Sequence, residues 1–244
     1  MPDHRWLVMR LEAPILAFGG VTIDHVGAIR DFPALSMLTG LLANALGWRR
    51  TDWQKHQALQ DRLVFATRCD RVNELGRLTD IQNARIGDDK GWTTFGQPEG
   101  RRGASYGAPH RRQREYHADA SVVVVLRLNP AGEKPDLDAL ATAIIRPVRP
   151  LFVGRKPCLP SAPINRGFIV AADAHSALGL IAPAESGDRC LRACWPLYEG
   201  PSDGDAVECI IDVPDLRNWR SGLHGGSRKV VEGRVTLQRE EAFA

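Results

Sequence analysis

Apolar residues fall along this chain in two kinds of pattern, and each predicts an element. Runs rich in β-branched and large apolar residues read as strands at residues 6–11 (WLVMRL), 63–69 (LVFATRC) and 116–128 (YHADASVVVVLRL). The third holds Val122, Val123, Val124 and Val125 in succession, which predicts a central strand covered on both faces. Residues 77–84, 206–213 and 229–237 are further strand candidates. Helical spacing governs residues 37–46, where Leu38, Leu41, Leu42 and Ala45 share a face. Ser36 stands where an N-cap belongs and Gly47 where a helix stop belongs. A helix start so capped offers backbone N–H groups and a positive dipole end to a phosphate, although the same residues also suit an ordinary core helix. Further helices are expected over 52–61 and 136–145. Residues 12–32 read as a long loop carrying Pro14, Gly19, Gly20 and Gly27.

The order of these elements predicts an α+β fold. Residues 1–148 suit a ferredoxin-like or RNA-recognition-type half, with helices on one sheet face, and residues 149–244 a small β-rich C-terminal half. The aromatic signature of RNA-recognition sheets is not apparent on the strands, so base stacking on a free sheet face is not supported.

Both periodicities fail between residues 85 and 114. That stretch holds seven cations (Arg85, Lys90, Arg101, Arg102, Arg111, Arg112, Arg114) against three acids, with six glycines and the aromatics Trp92, Phe95 and Tyr106. The chain as a whole has a net charge of only +3, so its positive charge is concentrated here. Structureless loops beyond roughly 12–15 residues are uncommon in compact domains and are functional or disordered. Cations interleaved with rings suit a nucleic-acid strand, the former for phosphates and the latter for bases. Composition alone fits a solvated insertion equally well. A second basic stretch, residues 146–160 (RPVRPLFVGRKPCLP), has Arg146, Arg149, Arg155 and Lys156 and no acid. Its prolines hold it extended and Gly154 allows a turn or a close backbone approach. Farther on, residues 217–226 (RNWRSGLHGG) read as a loop with cations, one tryptophan and three glycines.

Other chemistry is sparse. No GxGxxG, GxxxxGK[ST], HExxH or GxSxG motif is present. The five cysteines lack a metal-ligand spacing and are expected to be reduced, so no metal or cofactor is expected. No apolar run approaches a membrane span, and Asp3, His4, Arg5 and Arg10 break any signal-peptide core, which points to a cytoplasmic protein. Arg114, Tyr116 and His117 are the one local trio with general acid–base potential, the basis for an alternative reading as a metal-independent endoribonuclease. On a strand, Tyr116 and His117 point to opposite faces, which weakens that alternative.

Four stretches in order, residues 10–20 (RLEAPILAFGG), 32–47 (FPALSMLTGLLANALG), 114–128 (REYHADASVVVVLRL) and 146–160, carry a resemblance to the CasD-type subunits of type I-E CRISPR Cascade complexes. The resemblance covers roughly the first two thirds of the chain. It implies a non-catalytic subunit of an RNA-guided surveillance complex that binds and caps the 5′ handle of the crRNA. The implied partners are a CasC-type backbone subunit, a CasA-type large subunit, the other Cascade subunits and, through the complex, target DNA. Residues 85–114 would be the inserted thumb. Arg101, Arg102, Arg111, Arg112 and Arg114 on it, together with Ser36, Arg149, Gly154, Arg155 and Lys156, are the expected RNA-binding residues. Where such subunits typically carry a basic residue before the serine, this chain has Leu35.

Overall fold

The computed structural model describes residues 3–20, 22–23, 25–71, 76–84, 91–92, 98–99, 110–184 and 189–238. Its elements, in order, are β1 (His4–Leu16), β2 (Thr22–Ile23), β3 (Val26–Gly27), α1 (Leu35–Ala45), α2 (Trp53–Arg62), β4 (Leu63–Arg71), β5 (Arg77–Ala84), β6 (Gly91–Trp92), β7 (Pro98–Glu99), β8 (His110–Leu128), α3 (Leu137–Ile145), β9 (Asn165–Ala171), α4 (Ala174–Gly179), β10 (Cys190–Pro196), β11 (Val207–Arg217) and β12 (His224–Thr236). The fold is α+β: one large, mostly antiparallel sheet in the order β11-β12-β10-β4-β8-β1-β9, with few helices. Strands after residue 149 add to both ends of this sheet, β9 beside β1 and β10 beside β4. Among the described residues no helix is long and apolar enough to cross a membrane.

β8 is the centre. It pairs with β1 on one edge (Val124↔Met9) and with β4 on the other (Val124↔Thr67). Its valines are buried on both faces, as the apolar run predicts. Val122, Val124 and Leu126 join Leu7, Met9 and Leu11 under α1 and α3, in a cluster with Leu38, Leu42, Leu140 and Ile144. Val123 and Val125 face the other way, with Trp6 and Val8, onto Ala174, Leu178 and Trp195.

Several strands run past their predicted ends, β1 and β8 among them. β1 continues through Pro14, whose missing N–H costs nothing because β9 pairs only as far as Met9 and leaves that edge without a ladder. β8 begins at His110, so Arg111, Arg112 and Arg114 stand on a strand and not in a loop. There β5 is its partner, from Arg77↔His117 to Ala84↔His110. This ladder leaves Leu78 and Ile81 about half exposed, which is why no hydrophobic period marks it. Residues 85–90, 93–97 and 100–109, with Arg101 and Arg102, lie outside the described residues.

The predicted cap at Ser36 is corrected. α1 begins at Leu35, its N-cap is Ala34, and no side chain of the helix itself closes the end. Ala34 is itself extended (φ −76°, ψ 147°), which puts Ser36 inside the first turn. The C-terminal stop at Gly47 does form, with φ +76° and its N–H donated to the Asn44 carbonyl. α3 is capped by Asp136, which accepts from the Ala139 N–H. α4, β9 and β10 were not anticipated from the sequence.

One polar knot lies between the sheet and α4. Asp70, fully buried, accepts from Arg68 at 2.7 and 3.1 Å and from the Ala184 N–H at 2.9 Å, with Arg10 at 3.5 Å. Arg68, also fully buried, donates to the Leu178 and Ile181 carbonyls. Replacing Asp70 with Ala leaves a buried guanidinium without its counter-ion and is expected to cost about 3–5 kcal/mol. Chemical denaturation of the D70A chain measures this, and a loss below about 1 kcal/mol would place the pair in a solvated setting.

Candidate nucleic-acid interface

Three segments that are distant in sequence meet along one side of α1. Residues 17–20 run from the end of β1 across the first turn of the helix, held by Ala34 N–H to the Phe18 carbonyl (3.2 Å) and Arg30 N–H to the Gly19 carbonyl (2.9 Å). Residues 152–154 lie against them, joined by Ala17 N–H to the Val153 carbonyl at 3.3 Å. From the far end of the chain, residues 217–219 close the third side. The result is an open cleft of about 370 Å³, lined by Gly19, Gly20, Ser36, Gly154, Arg217 and Trp219 among others. Ser36 and Gly154, two of the expected RNA-binding residues, therefore share one site.

Gly154 is required here. Its φ is +85°, and a Cβ would sit 1.6 Å from the Ala17 carbonyl oxygen. The cleft wall is bare backbone on that side, which permits a close approach by a ligand. Lys156 is exposed at the same turn.

Arg155 acts otherwise than the sequence suggested. Its guanidinium donates to the carbonyls of Glu115 (2.8 Å) and Gly27 (3.2 Å) and lies 4.9 Å over the Tyr116 ring. It ties the 152–156 turn to β8 and β3. Arg114 reaches the same point, its Nη1 2.9 Å from where a Gly27 Cβ would stand. Arg114 donates to the Gln113 carbonyl at 2.9 Å, and neither guanidinium meets a carboxylate among the described residues. Arg149 lies elsewhere: it donates to the Gly47 and Trp48 carbonyls, at the opposite end of α1 from Ser36. Arg111 and Arg112 project from the β5–β8 ladder, exposed and, among the described residues, meeting no carboxylate. Six of the expected cations therefore have a described position: Arg114, Arg149 and Arg155 knit loops, Arg111 and Arg112 stand exposed on the ladder, and Lys156 is exposed at the Gly154 turn.

The helix-dipole reading is also corrected. The N–H of Leu35 donates to Asp215 Oδ2 at 2.9 Å, and Asp215, on β11, is gripped through both oxygens by Arg228. A carboxylate of the protein itself thus occupies the anion site at the start of α1. The field that would hold a phosphate must come from side-chain cations instead.

The base of the β5–β8 ladder is pinned by ions. Asp31 accepts from Arg77 at 2.6 Å and from Arg192, on β10, at 3.1 Å, and Arg77 also reaches Glu115 at 3.2 Å. Burial alone would raise the Asp31 pKa, but the hydrogen bonds from Arg77 and Arg192 outweigh it and hold it below the ordinary value. His117 and Tyr116 are not arranged for proton transfer. Tyr116 is 6% exposed within the main core. A ring nitrogen of His117 is bound to the Arg30 carbonyl at 2.8 Å, and burial lowers its pKa.

Asp215, Arg217 and Trp219 were missed as site residues. The 217–226 loop did show cations around a tryptophan, but nothing in the sequence indicates that it returns to α1.

A family model described as CRISPR-associated protein (Cas5) matches residues 6–231. The chain is 32% identical over 173 residues, 71% of its own length and 75% of the other's, to the CRISPR system Cascade subunit CasD of Escherichia coli (strain K12). Its fold is similar to that of a chain in a structure described as a CRISPR RNA-guided surveillance complex, with TM-score 0.67, 20% identity, and coverage of 95% of this chain and 90% of that one. It is also similar to a crystal structure of a Cas protein, with TM-score 0.60, 22% identity, and coverage of 95% of both chains.

Two measurements probe the geometry of the site. Gly154→Ala forces either the strained backbone or the contact with Ala17 to yield, and is expected to cost about 1–3 kcal/mol. Unchanged thermal stability would mean that the two loops are not pressed together. Asp31→Asn is expected to cost about 0.5–1 kcal/mol at pH 7, a figure kept small because the pair is partly solvated. The folded carboxyl has the lower pKa, so it stabilises the fold above about pH 4, and this contribution is lost as pH falls below that. Denaturation curves of the two chains should therefore converge in acid, and a constant gap down to pH 3 would contradict the assignment.

Proposed function

The chain belongs to the CRISPR-associated Cas5 family, and on that premise we propose that it is the Cascade subunit that binds and caps the 5′ handle of the crRNA without cutting it. The observation that carries this reading is the likeness to CasD over most of both chains. The geometry supports it: a cleft walled by bare backbone at Gly154, flanked by cations that meet no carboxylate among the described residues, suits a ribose-phosphate chain. Against catalysis stand the buried Tyr116 and the carbonyl-bound His117 ring.

We read the path β1, α1–α2, β4, β8, α3, β9 as a ferredoxin-like core. The order β4-β8-β1-β9 and the packing of α1 and α3 on one face support this. In this reading the β5–β8 ladder is the stem of the thumb, with Arg111 and Arg112 along it and Arg101 and Arg102 beyond the described residues. Ser36, Gly154 and Lys156 would touch the handle, while Arg114, Arg149 and Arg155 fix the loops that shape its bed. Contacts with a CasC-type backbone subunit and a CasA-type large subunit belong to the same assignment, as do access to target DNA through the complex and a cytoplasmic location.

The test is charge reversal in the assembled particle. Changing Arg101, Arg102, Arg111 and Arg112 to Glu should reduce handle-RNA affinity by at least about tenfold and flatten its salt dependence by about 0.7 log per lost contact. Retention of RNA at wild-type affinity and salt slope would remove the arm from the binding surface. Cleavage of precursor repeat RNA by the purified subunit in EDTA would overturn the non-catalytic reading.

A further inference from the structure

The wall of the cleft built by Arg217 and Trp219 holds a guanidinium that meets no carboxylate among the described residues. The main chain of Arg217 is clamped by the Gln60 amide, which accepts from the Arg217 N–H at 3.2 Å and donates to its carbonyl at 2.9 Å. Its guanidinium lies 5.0 Å over the Trp219 ring. Trp219 is itself immobilised, with its indole N–H on Gln60 at 3.0 Å, His56 stacked at 4.7 Å, and Gly40 of α1 leaving room for the ring. So positioned, the guanidinium finds no acceptor: its Nε is buried without a hydrogen-bond partner, and no carboxylate among the described residues pairs with it. Asp215, two residues upstream, is already engaged by Arg228 and the Leu35 N–H.

A second cation converges on the first. Gly222 takes φ +76° in the tight turn that follows, and the place where its Cβ would stand is 3.3 Å from Arg217 Nη2 and 3.4 Å from Arg50 Nη2. Arg50 comes from the turn before α2 and, among the described residues, meets no acid. Two guanidiniums brought together without a counter-ion form an arrangement that an oxyanion relieves, and the planar forks suit two oxygens of one phosphate.

We propose that Arg50 and Arg217 hold one phosphodiester group of the bound RNA, with Trp219 as the positioning residue for Arg217. This rests on the reading of the cleft as the handle site, since Arg217 and Trp219 line it together with Ser36 and Gly154. It assigns part of the RNA bed to the last quarter of the chain. A phosphate is favoured over a partner's carboxylate because Arg217 lines that cleft and Arg50 is exposed beside it at the Gly222 turn.

The experiment uses the assembled complex and short RNAs bearing the 5′ handle, each with a single methylphosphonate in place of one phosphate. With wild-type protein, neutralising one particular phosphate should lower affinity about threefold to tenfold through this pair. Arg50→Gln with Arg217→Gln should lower affinity by a similar factor for unmodified RNA and erase the sensitivity at that one position. Trp219→Leu should give an intermediate loss at that position. Arg50→Gln alone, at an exposed residue, keeps the test valid if the double variant fails to fold, and should halve the effect on a logarithmic scale. An unchanged methylphosphonate profile in the variants overturns the proposal while leaving the handle reading intact. Failure of the wild-type complex to protect the handle at all overturns the handle reading itself, and this proposal with it. Loss of a neighbouring subunit at unchanged RNA affinity assigns the pair to a protein carboxylate and also overturns it.

Discussion

Everything in this structure hangs on β8 being bonded along both edges and buried on both faces. Between residues 121 and 126 it pairs with β1 and β4 at once, and its side chains fill two separate cores. A strand so enclosed has no freedom of register, because a slip of one residue would exchange the contents of the two cores. The same strand then leaves the core and continues to His110 in a ladder with β5. A rigid anchor and a projecting basic arm are thus one piece of chain, and the direction of the arm is set by the packing of the valines. The ions at its base, Arg77 with Asp31 and Glu115, brace that direction from the side.

The electrostatics of the cleft follow from a second constraint. The first turn of α1 needs a partner for its free N–H groups, and the chain supplies Asp215 rather than leaving the position to a ligand. This stabilises the helix and removes the anion site that a bare N-terminus would offer. It also sets the character of the cleft, in which backbone provides shape and arginines provide charge. Arg155 illustrates the division, since it is held by carbonyls, which orient it without neutralising it.

What could be read in the sequence was whatever a local pattern encodes. The doubly covered strand, the apolar face of α1, the Gly47 stop and the α+β class all follow from residues that are neighbours in the chain or repeat along it. The basic stretch after residue 85 was visible as composition, but its extension of β8 was not, because a ladder that leaves Leu78 and Ile81 about half exposed shows no hydrophobic alternation. Ser36 was mistaken for a cap because its residue type and position before an apolar run fit, whereas the true partner, Asp215, lies 180 residues away from Leu35. Arg155 and Lys156 were expected to act alike, yet only the position of Gly27 and Glu115 in space decides that one is tied down and the other is exposed.

The long-range character of the cleft bears on how the chain is divided. Residues 17–20 and α1 come from the first half, the Gly154 turn from the middle, and Asp215, Arg217 and Trp219 from β11 and the loop after it. Gln60 of α2 joins them by bonding both the Arg217 main chain and the Trp219 indole. The lining of the cleft therefore draws on both of the halves expected from the sequence, residues 1–148 and 149–244. Without β11, the Leu35 N–H loses its acceptor and the aromatic wall is gone, while most of the valine core remains. On the proposed handle reading, selection on RNA binding would act on residues at both ends of the sequence, with β8 carrying the mechanical continuity between them.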